Sequence, residues 1–416
     1  MKNIAAFLLM VFSLPVSLAA LDFGLLVDQG ARVGGTEKTA FSYEAVFIPR
    51  FSFLLGDSSD QQFGEGIITA GMTLGTEEEE FYCIPELLRT EFSWRFGTAK
   101  ITAGRMLYSA PFAPAAEGLF DGFQFLYDNQ MGTFSAGAWY TGLLYKKKTN
   151  ITMTMEDTQD YHGKLDYDDF FGTYFASRRM LAALGWEYPA IADLVSARLA
   201  VITQFDLNNR TENDTNEKLY LHSQYLTAKA GMSFGQFMFE LGGALELAEY
   251  SAKAGSGFNI GLAGELEVFW TAPTPFLSLL SFTGYFSSGT MESGPLAAFT
   301  PVTSKPYGAI LEAAPSGISM LSLDYTARLH KTLSAGFTFA YFIRSDLGTY
   351  VQYPVDMDND DEYFLGSEYF ARLIWSPVSD IQLNLGGGVF LPVTGNAAPE
   401  REPQWRVQLT ALLALY

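Results

Sequence analysis

Polarity along this chain switches at every second residue from about residue 40 to residue 416, in segments of about ten residues parted by turns. In residues 258–270 one phase holds Phe258, Ile260, Leu262, Gly264, Leu266, Val268 and Trp270, and the other holds Asn259, Gly261, Ala263, Glu265, Glu267 and Phe269. Residues 321–330 repeat the division, with Leu321, Leu323, Tyr325, Ala327 and Leu329 set against Ser322, Asp324, Thr326, Arg328 and His330. Successive side chains of a strand point to opposite faces, so each segment predicts a strand with one face suited to hydrocarbon and one suited to water. A strand of an ordinary sandwich would alternate in the same way.

The connections separate the two architectures. Tight ones are expected at 97–98, 128–132, 188–192, 233–236, 271–274, 330–332 and 376–380, and longer ones at 109–118, 146–177, 208–216, 289–316, 345–364 and 392–403. The two kinds are expected to alternate along the chain. A membrane barrel has short periplasmic turns and long outer loops, which predicts this beat and places both termini in the periplasm; a sandwich has no reason for it. The expected fold is therefore an all-β, transmembrane, antiparallel up-and-down β-barrel of about eighteen strands. Residues 21–29 alternate only in part, and dropping them with one other doubtful strand leaves sixteen. Aromatics make up 15% of the chain, and Trp94, Tyr140, Trp270, Tyr341, Trp375 and Trp405 fall near strand ends, where membrane barrels carry their aromatic girdles.

The N-terminus reads as a secretory signal: Lys2, an apolar core over residues 4–12, and small residues Ser17 and Ala19 three and one before a cut after Ala19. Residues 1–19 are then signal peptide, and 20–416 a single barrel with long outer loops, notably 146–177, 289–316 and 345–364. No later apolar run reaches the roughly 18 residues of a spanning helix. Cys83 is alone and cannot form an internal disulfide, so the closed ladder itself must stabilise the fold. Without Lys2 there are 25 Lys and Arg against 46 Asp and Glu, a net charge of −21, which argues against nucleic acid as a partner.

A barrel of this size encloses water unless something plugs it, and its inward phase then decides what passes. That phase carries Glu240, Glu246, Glu265 and Glu267 on two adjacent strands, and Arg328, Arg344, Arg372 and Arg406 further round. The first strands add Arg89 and Arg95 beside Glu91, which closure is expected to bring near Arg406. Acid on one wall and base on another would set a transverse field across the lumen; alternatively, each Arg pairs with a neighbouring carboxylate and merely solvates the wall. The acidic, ring-rich stretch 146–177, with Asp166, Asp168, Asp169, Phe170 and Phe171, reads either as a loop folded inward to constrict the lumen or as an outward cap.

Other chemistry is sparse. Asp356, Asp358 and Asp360 have the spacing of calcium ligands, but Asp361 stands where such a loop needs Gly and Ser367 where it needs a bidentate Glu. At most this is a weak divalent site bridging a glycolipid, against a merely solvated loop. His222 and Ser223 are strand neighbours pointing to opposite faces, and three His with one Cys offer no zinc spacing. No catalytic constellation is legible, so no enzyme and no cofactor is expected.

The last strand alternates through Trp405, Val407, Leu409, Ala411, Leu413 and Leu415 and ends on an aromatic, Tyr416, on the other phase. This resembles the terminal signal that outer-membrane barrels present to the barrel-assembly machinery. At the level of architecture the whole mature chain resembles the outer-membrane porins of diderm bacteria. The resemblance implies a channel in outer-membrane lipid for passive diffusion of small hydrophilic solutes, working alone or as a homo-oligomer. Rival readings are an adhesin or binding protein anchored by its barrel, and a substrate-specific uptake channel.

Overall fold

In a computed structural model the described residues are 18–36, 39–56, 62–77, 80–152, 165–191, 194–207, 220–252, 255–289, 297–347 and 361–415. The signal core, Asp356, Asp358, Asp360 and Tyr416 lie outside them, as does part of the 146–177 stretch.

Eighteen antiparallel strands follow in chain order: β1 (Leu18–Gly35), β2 (Thr39–Leu55), β3 (Gln62–Glu77), β4 (Glu80–Phe96), β5 (Ala99–Ser109) and β6 (Glu117–Asn129). Next come β7 (Gly132–Tyr140), β8 (Arg179–Ile191), β9 (Val195–Asp206), β10 (Tyr220–Phe234), β11 (Phe237–Ala252) and β12 (Gly255–Ala272). The series ends with β13 (Ser278–Ser287), β14 (Ile318–His330), β15 (Leu333–Arg344), β16 (Phe364–Val378), β17 (Ile381–Leu391) and β18 (Gln404–Leu415). Each strand pairs with its sequence neighbours, and β1 pairs with β18 from Leu25↔Leu415 to Gly35↔Trp405, which closes the barrel. Eighteen is thus the count, not sixteen. The partly alternating start is a full strand, whose Leu21 and Phe23 are exposed while Asp28, Gly30 and Arg32 line a cavity.

The predicted phases are the observed ones. Phe258, Leu262, Leu266, Leu321, Leu323 and Leu329 are all exposed on the outer surface, a belt that only hydrocarbon would cover without cost. The connections after β5, β7, β9, β13, β15 and β17 are the long ones, and all leave from one end. That end also carries short connections after β1, β3 and β11, so tight and long connections do not alternate strictly along the chain.

The apolar core sits inside the barrel, built by loops that fold into it. Phe112 and Ala115 of the β5–β6 loop, Leu144 and Ile151 of the β7–β8 loop, and Phe299, Val302 and Ile310 of the β13–β14 loop belong to one buried cluster. Ile151 forms an isolated bridge with Thr303, Val302 N donates to Ala115 O at 2.8 Å, and Glu117 N donates to Thr303 Oγ1 at 2.8 Å. These bonds tie the three loops into one internal shelf. Gly261 of β12 allows a close approach, since a Cβ there would press on the Glu246 carboxylate and on the backbone of Phe299.

One seam departs from the regular ladder. β4 and β5 pair only from Phe96↔Ala99 to Thr90↔Arg105, although β4 continues back to Glu80 and β5 on to Ser109. Gly104 has φ +115° where the two strands part, a conformation in which a Cβ would collide with the Thr90 carbonyl. Pro85 lies in the unpaired length of β4, where its missing N–H removes one donor from an edge.

Candidate functional site

The candidate site lies where the internal shelf meets the inward phase of the wall. Two buried carboxylates hold the β13–β14 loop there. Glu368 of β16 accepts the amides of Ala309, Ile310 and Leu311 at 2.6, 3.0 and 2.9 Å. Glu246 of β11 accepts the Thr300 amide at 2.6 Å and the Ser223 hydroxyl at 3.0 Å. Both are 1% exposed. Consecutive backbone amides form a concave site of partial positive charge, so a carboxylate aimed into it replaces the water each amide loses. Hydroxyls of Tyr225 and Tyr285 add bonds to the carbonyls of Thr300 and Pro315 at 2.6 and 2.7 Å.

Beside this loop lies a cavity of about 640 Å³, with Arg32, Lys305, Arg372 and Arg406 as its bases and Glu117, Glu265, Glu312, Asp324 and Glu368 as its acids. Arg406 bonds Glu312 at 2.5 Å and the Ala309 carbonyl at 2.7 Å, and Lys305 pairs with Glu117 at 3.2 Å. Arg372 reaches Thr326 Oγ1 at 3.4 Å. Glu265 receives the hydroxyl of Tyr307 at 3.3 Å, and Tyr307 packs on Tyr285 with ring centroids 4.3 Å apart. Burial, then the neighbouring Tyr285 and Glu265, push the Tyr307 phenol well up, so that it stays a neutral donor. A site of this kind can orient a small polar solute by hydrogen bonds from both signs of charge.

The remaining charged positions expected from the sequence have distinct surroundings. Glu240 and Glu267 both grip Lys229, the latter at 3.0 Å, so these two acids face an ammonium of the wall. Arg89 pairs with Glu91 at 2.5 Å, and Arg95 approaches Asp128 to 3.9 Å near the tight turns. Arg328 donates to the Lys331 carbonyl at 2.9 Å, and buried Arg344 donates to Leu347 and Glu362 carbonyls at 2.6 and 3.3 Å. Arg406 does not approach Arg89 and Arg95. The strands β1, β2 and β3 stand between β18 and β4, so closure of the barrel does not bring these positions together.

In the β7–β8 loop, Asp169 caps the short helix α1 (Phe170–Tyr174) by accepting the Gly172 amide at 3.2 Å, and Asp166 accepts the Asp168 amide at 2.9 Å. Asp168 is exposed; Phe170 stacks on Tyr174 at 4.7 Å, and Phe171 is exposed. None of the five lines the 640 Å³ cavity. The rings instead pack toward β4, where Ile84, Tyr145 and Tyr174 form a second buried cluster with Tyr82, Leu165, Phe170 and Phe175. Burial and the nearby Glu86 push the Tyr174 phenol up to about 12. Deeper in the same loop, Lys148 reaches Glu44 at 3.3 Å and Thr73 at 2.9 Å on the inner wall.

Sequence reasoning passed over Glu368, Arg32, Lys229 and the β13–β14 loop as the main occupant of the lumen. A signal existed: residues 295–315 read Pro-Leu-Ala-Ala-Phe-Thr-Pro-Val and onward to Ala-Ala-Pro, too apolar for a loop in water.

The architecture is porin-like. The fold is similar to that of OccK2 (OpdF) of Pseudomonas aeruginosa, with a TM-score of 0.63 and 12% identity over 96% of this chain and 98% of that one. A structure of OccK2 (OpdF) in complex with glucuronate gives a TM-score of 0.61 at 11% identity, over 96% and 98%. OccK5 (OpdH) of the same organism gives 0.59 at 11%, over 96% and 99%. At these identities the likeness is one of fold. No family model and no curated protein sequence matches the chain.

Proposed function

We propose that this protein is an outer-membrane channel for passive diffusion of small hydrophilic solutes. The observation that carries the reading is a closed barrel, greasy outside, whose internal shelf leaves a cavity of about 640 Å³ lined by both signs of charge. Glucuronate, held by the similarly folded OccK2, is a solute of the class such a lining suits. The presence of Arg32, Arg372 and Arg406 in one cavity favours, as a second reading, selective uptake of small carboxylated solutes. In this reading residues 1–19 are removed on export, the tight-turn end with both termini faces the periplasm, and the barrel-assembly machinery inserts the chain.

Liposome swelling tests it. Proteoliposomes of the mature chain are expected to swell in isosmotic arabinose or glucuronate and not in a large oligosaccharide. A barrel serving only to anchor adhesive loops would give no swelling with any of them.

A further inference from the structure

The β4–β5 seam is sealed by side chains rather than by a strand ladder. Groups of β4 that a paired β5 would occupy are instead bonded as follows. The Cys83 amide donates to the Tyr167 hydroxyl at 3.0 Å, and that hydroxyl bonds the Cys83 carbonyl. The Tyr174 hydroxyl bonds the Pro85 carbonyl at 2.9 Å, and Arg105, itself paired with Asp121 at 2.7 Å, bonds the Leu87 carbonyl. These positions alternate along one strand, so they are the edge that the wall lacks.

The seam reaches hydrocarbon depth. The ladder from the tight turn at 97–98 up to Thr90↔Arg105 is seven pairs long. That is roughly 23 Å along the strand and roughly 18 Å of height at a tilt of about 40°, less than the apolar band of about 25 Å. Phe81 and Leu87 on one side and Leu107 on the other are exposed outward-facing side chains of the unpaired lengths. An open strand edge is not tolerated in lipid, so whatever fills the seam decides whether lumen and bilayer communicate. On the inner side the filling is aromatic, with Tyr82, Tyr145, Phe170 and Phe175 around Ile84, and Lys148 and Glu44 lie next to it.

We propose that this seam is a lateral port through which small amphipathic solutes, each with a polar head and an aromatic ring, pass between the lumen and the surrounding lipid, with Tyr167 and Tyr174 as its latch. The proposal rests on the barrel being membrane-embedded and adds a second route to the axial one. Rings inside the seam match the ring of the solute, the charged groups beside them match its head, and two phenols are easier to displace than a continuous ladder.

The test compares wild type with the double variant Tyr167→Phe/Tyr174→Phe, which keeps the rings and removes the hydroxyls. Proteoliposomes are loaded by diffusion with glucose or with 4-nitrophenyl glucoside, and the native Cys83 is titrated with a water-soluble sulfonated maleimide. The expected result is a threefold or greater rise in the glucoside rate at an unchanged glucose rate, with faster labelling of Cys83. Bridging Tyr167→Cys to Cys83 with a short bis-maleimide is expected to hold the glucoside rate at or below that of wild type. An unchanged glucoside-to-glucose ratio in the double variant overturns the port, as does faster Cys83 labelling without glucoside entry, which shows a leak of water only. Failure of the axial channel appears separately, as absence of glucose entry in wild type; glucoside entry through the double variant then still supports the port, and its absence overturns it.

Discussion

Oε1 of Glu368 accepts the amide of Ala309 at 2.6 Å, and this contact joins the wall of the barrel to the loop that fills it. Two further amides share the same carboxylate, so the loop is held through its backbone and not through its side chains. The anchor therefore constrains where the loop runs whatever residues occupy it.

Replacing Glu368 by Ala leaves three amides without an acceptor, at a cost of roughly 1–3 kcal/mol for each one kept from water. The loop is expected to leave the wall, and single-channel conductance to rise. Glu368→Gln retains one carbonyl oxygen and is expected to give a smaller rise. Equal conductance in wild type and both variants would show that this loop does not limit flow.

Glu265 and Glu267 are neighbours on one phase of β12 with unequal surroundings. Glu267 faces Lys229 at 3.0 Å, whereas Glu265 lines the cavity beside Tyr307. Glu265→Gln is expected to shift reversal potentials in a salt gradient toward anions, and Glu267→Gln to leave them nearly unchanged. Lys229→Met, which uncovers Glu240 and Glu267 together, is expected to shift them toward cations. The same shift from both Gln variants would contradict this division.

Arg179 and Asp206 pair across the β8–β9 ladder, with side chains 0% and 4% exposed. Removing one partner takes away the carboxylate that faces a buried charge, so Asp206→Ala is expected to destabilise the barrel by up to about 3–5 kcal/mol. Replacing both residues by apolar ones is expected to recover most of that loss. Thermal melting in detergent measures it, and an Asp206→Ala barrel as stable as wild type would refute it.

The phenol of Tyr174 is pushed from 10.0 to about 12 by burial and then by Glu86. A raised value means that the folded state prefers the protonated form, so the contribution of Tyr174 is intact below pH 10 and is lost as pH climbs through about 12. Wild type is expected to lose more thermal stability than Tyr174→Phe between about pH 10 and 12. Parallel losses in the two proteins would show that the ring, not the hydroxyl, holds the loop.

Much of the architecture was legible because the membrane imposes a local rule. A strand with hydrocarbon on one side and water on the other must alternate, and Leu321 to Leu329 obey this whatever their partners. Turn length is likewise local. The inward charges could be named, but not their partners: Lys229 between Glu240 and Glu267 depends on the register of three neighbouring strands. The β7–β8 loop was singled out for its rings and acids, yet its acids serve a cap and a turn while its rings face β4.

The two-residue period, the eighteen-strand scale and the closed barrel were determined by the sequence alone, since each follows from what neighbouring residues must meet across one strand. Only the tertiary structure decided which loop enters the lumen, which carboxylate receives its amides, and where β4 and β5 separate. Those outcomes join residues far apart in the chain, such as Glu368 with Ala309 and Tyr174 with Pro85, and no local pattern encodes a contact whose partner is set by closure of the whole ring.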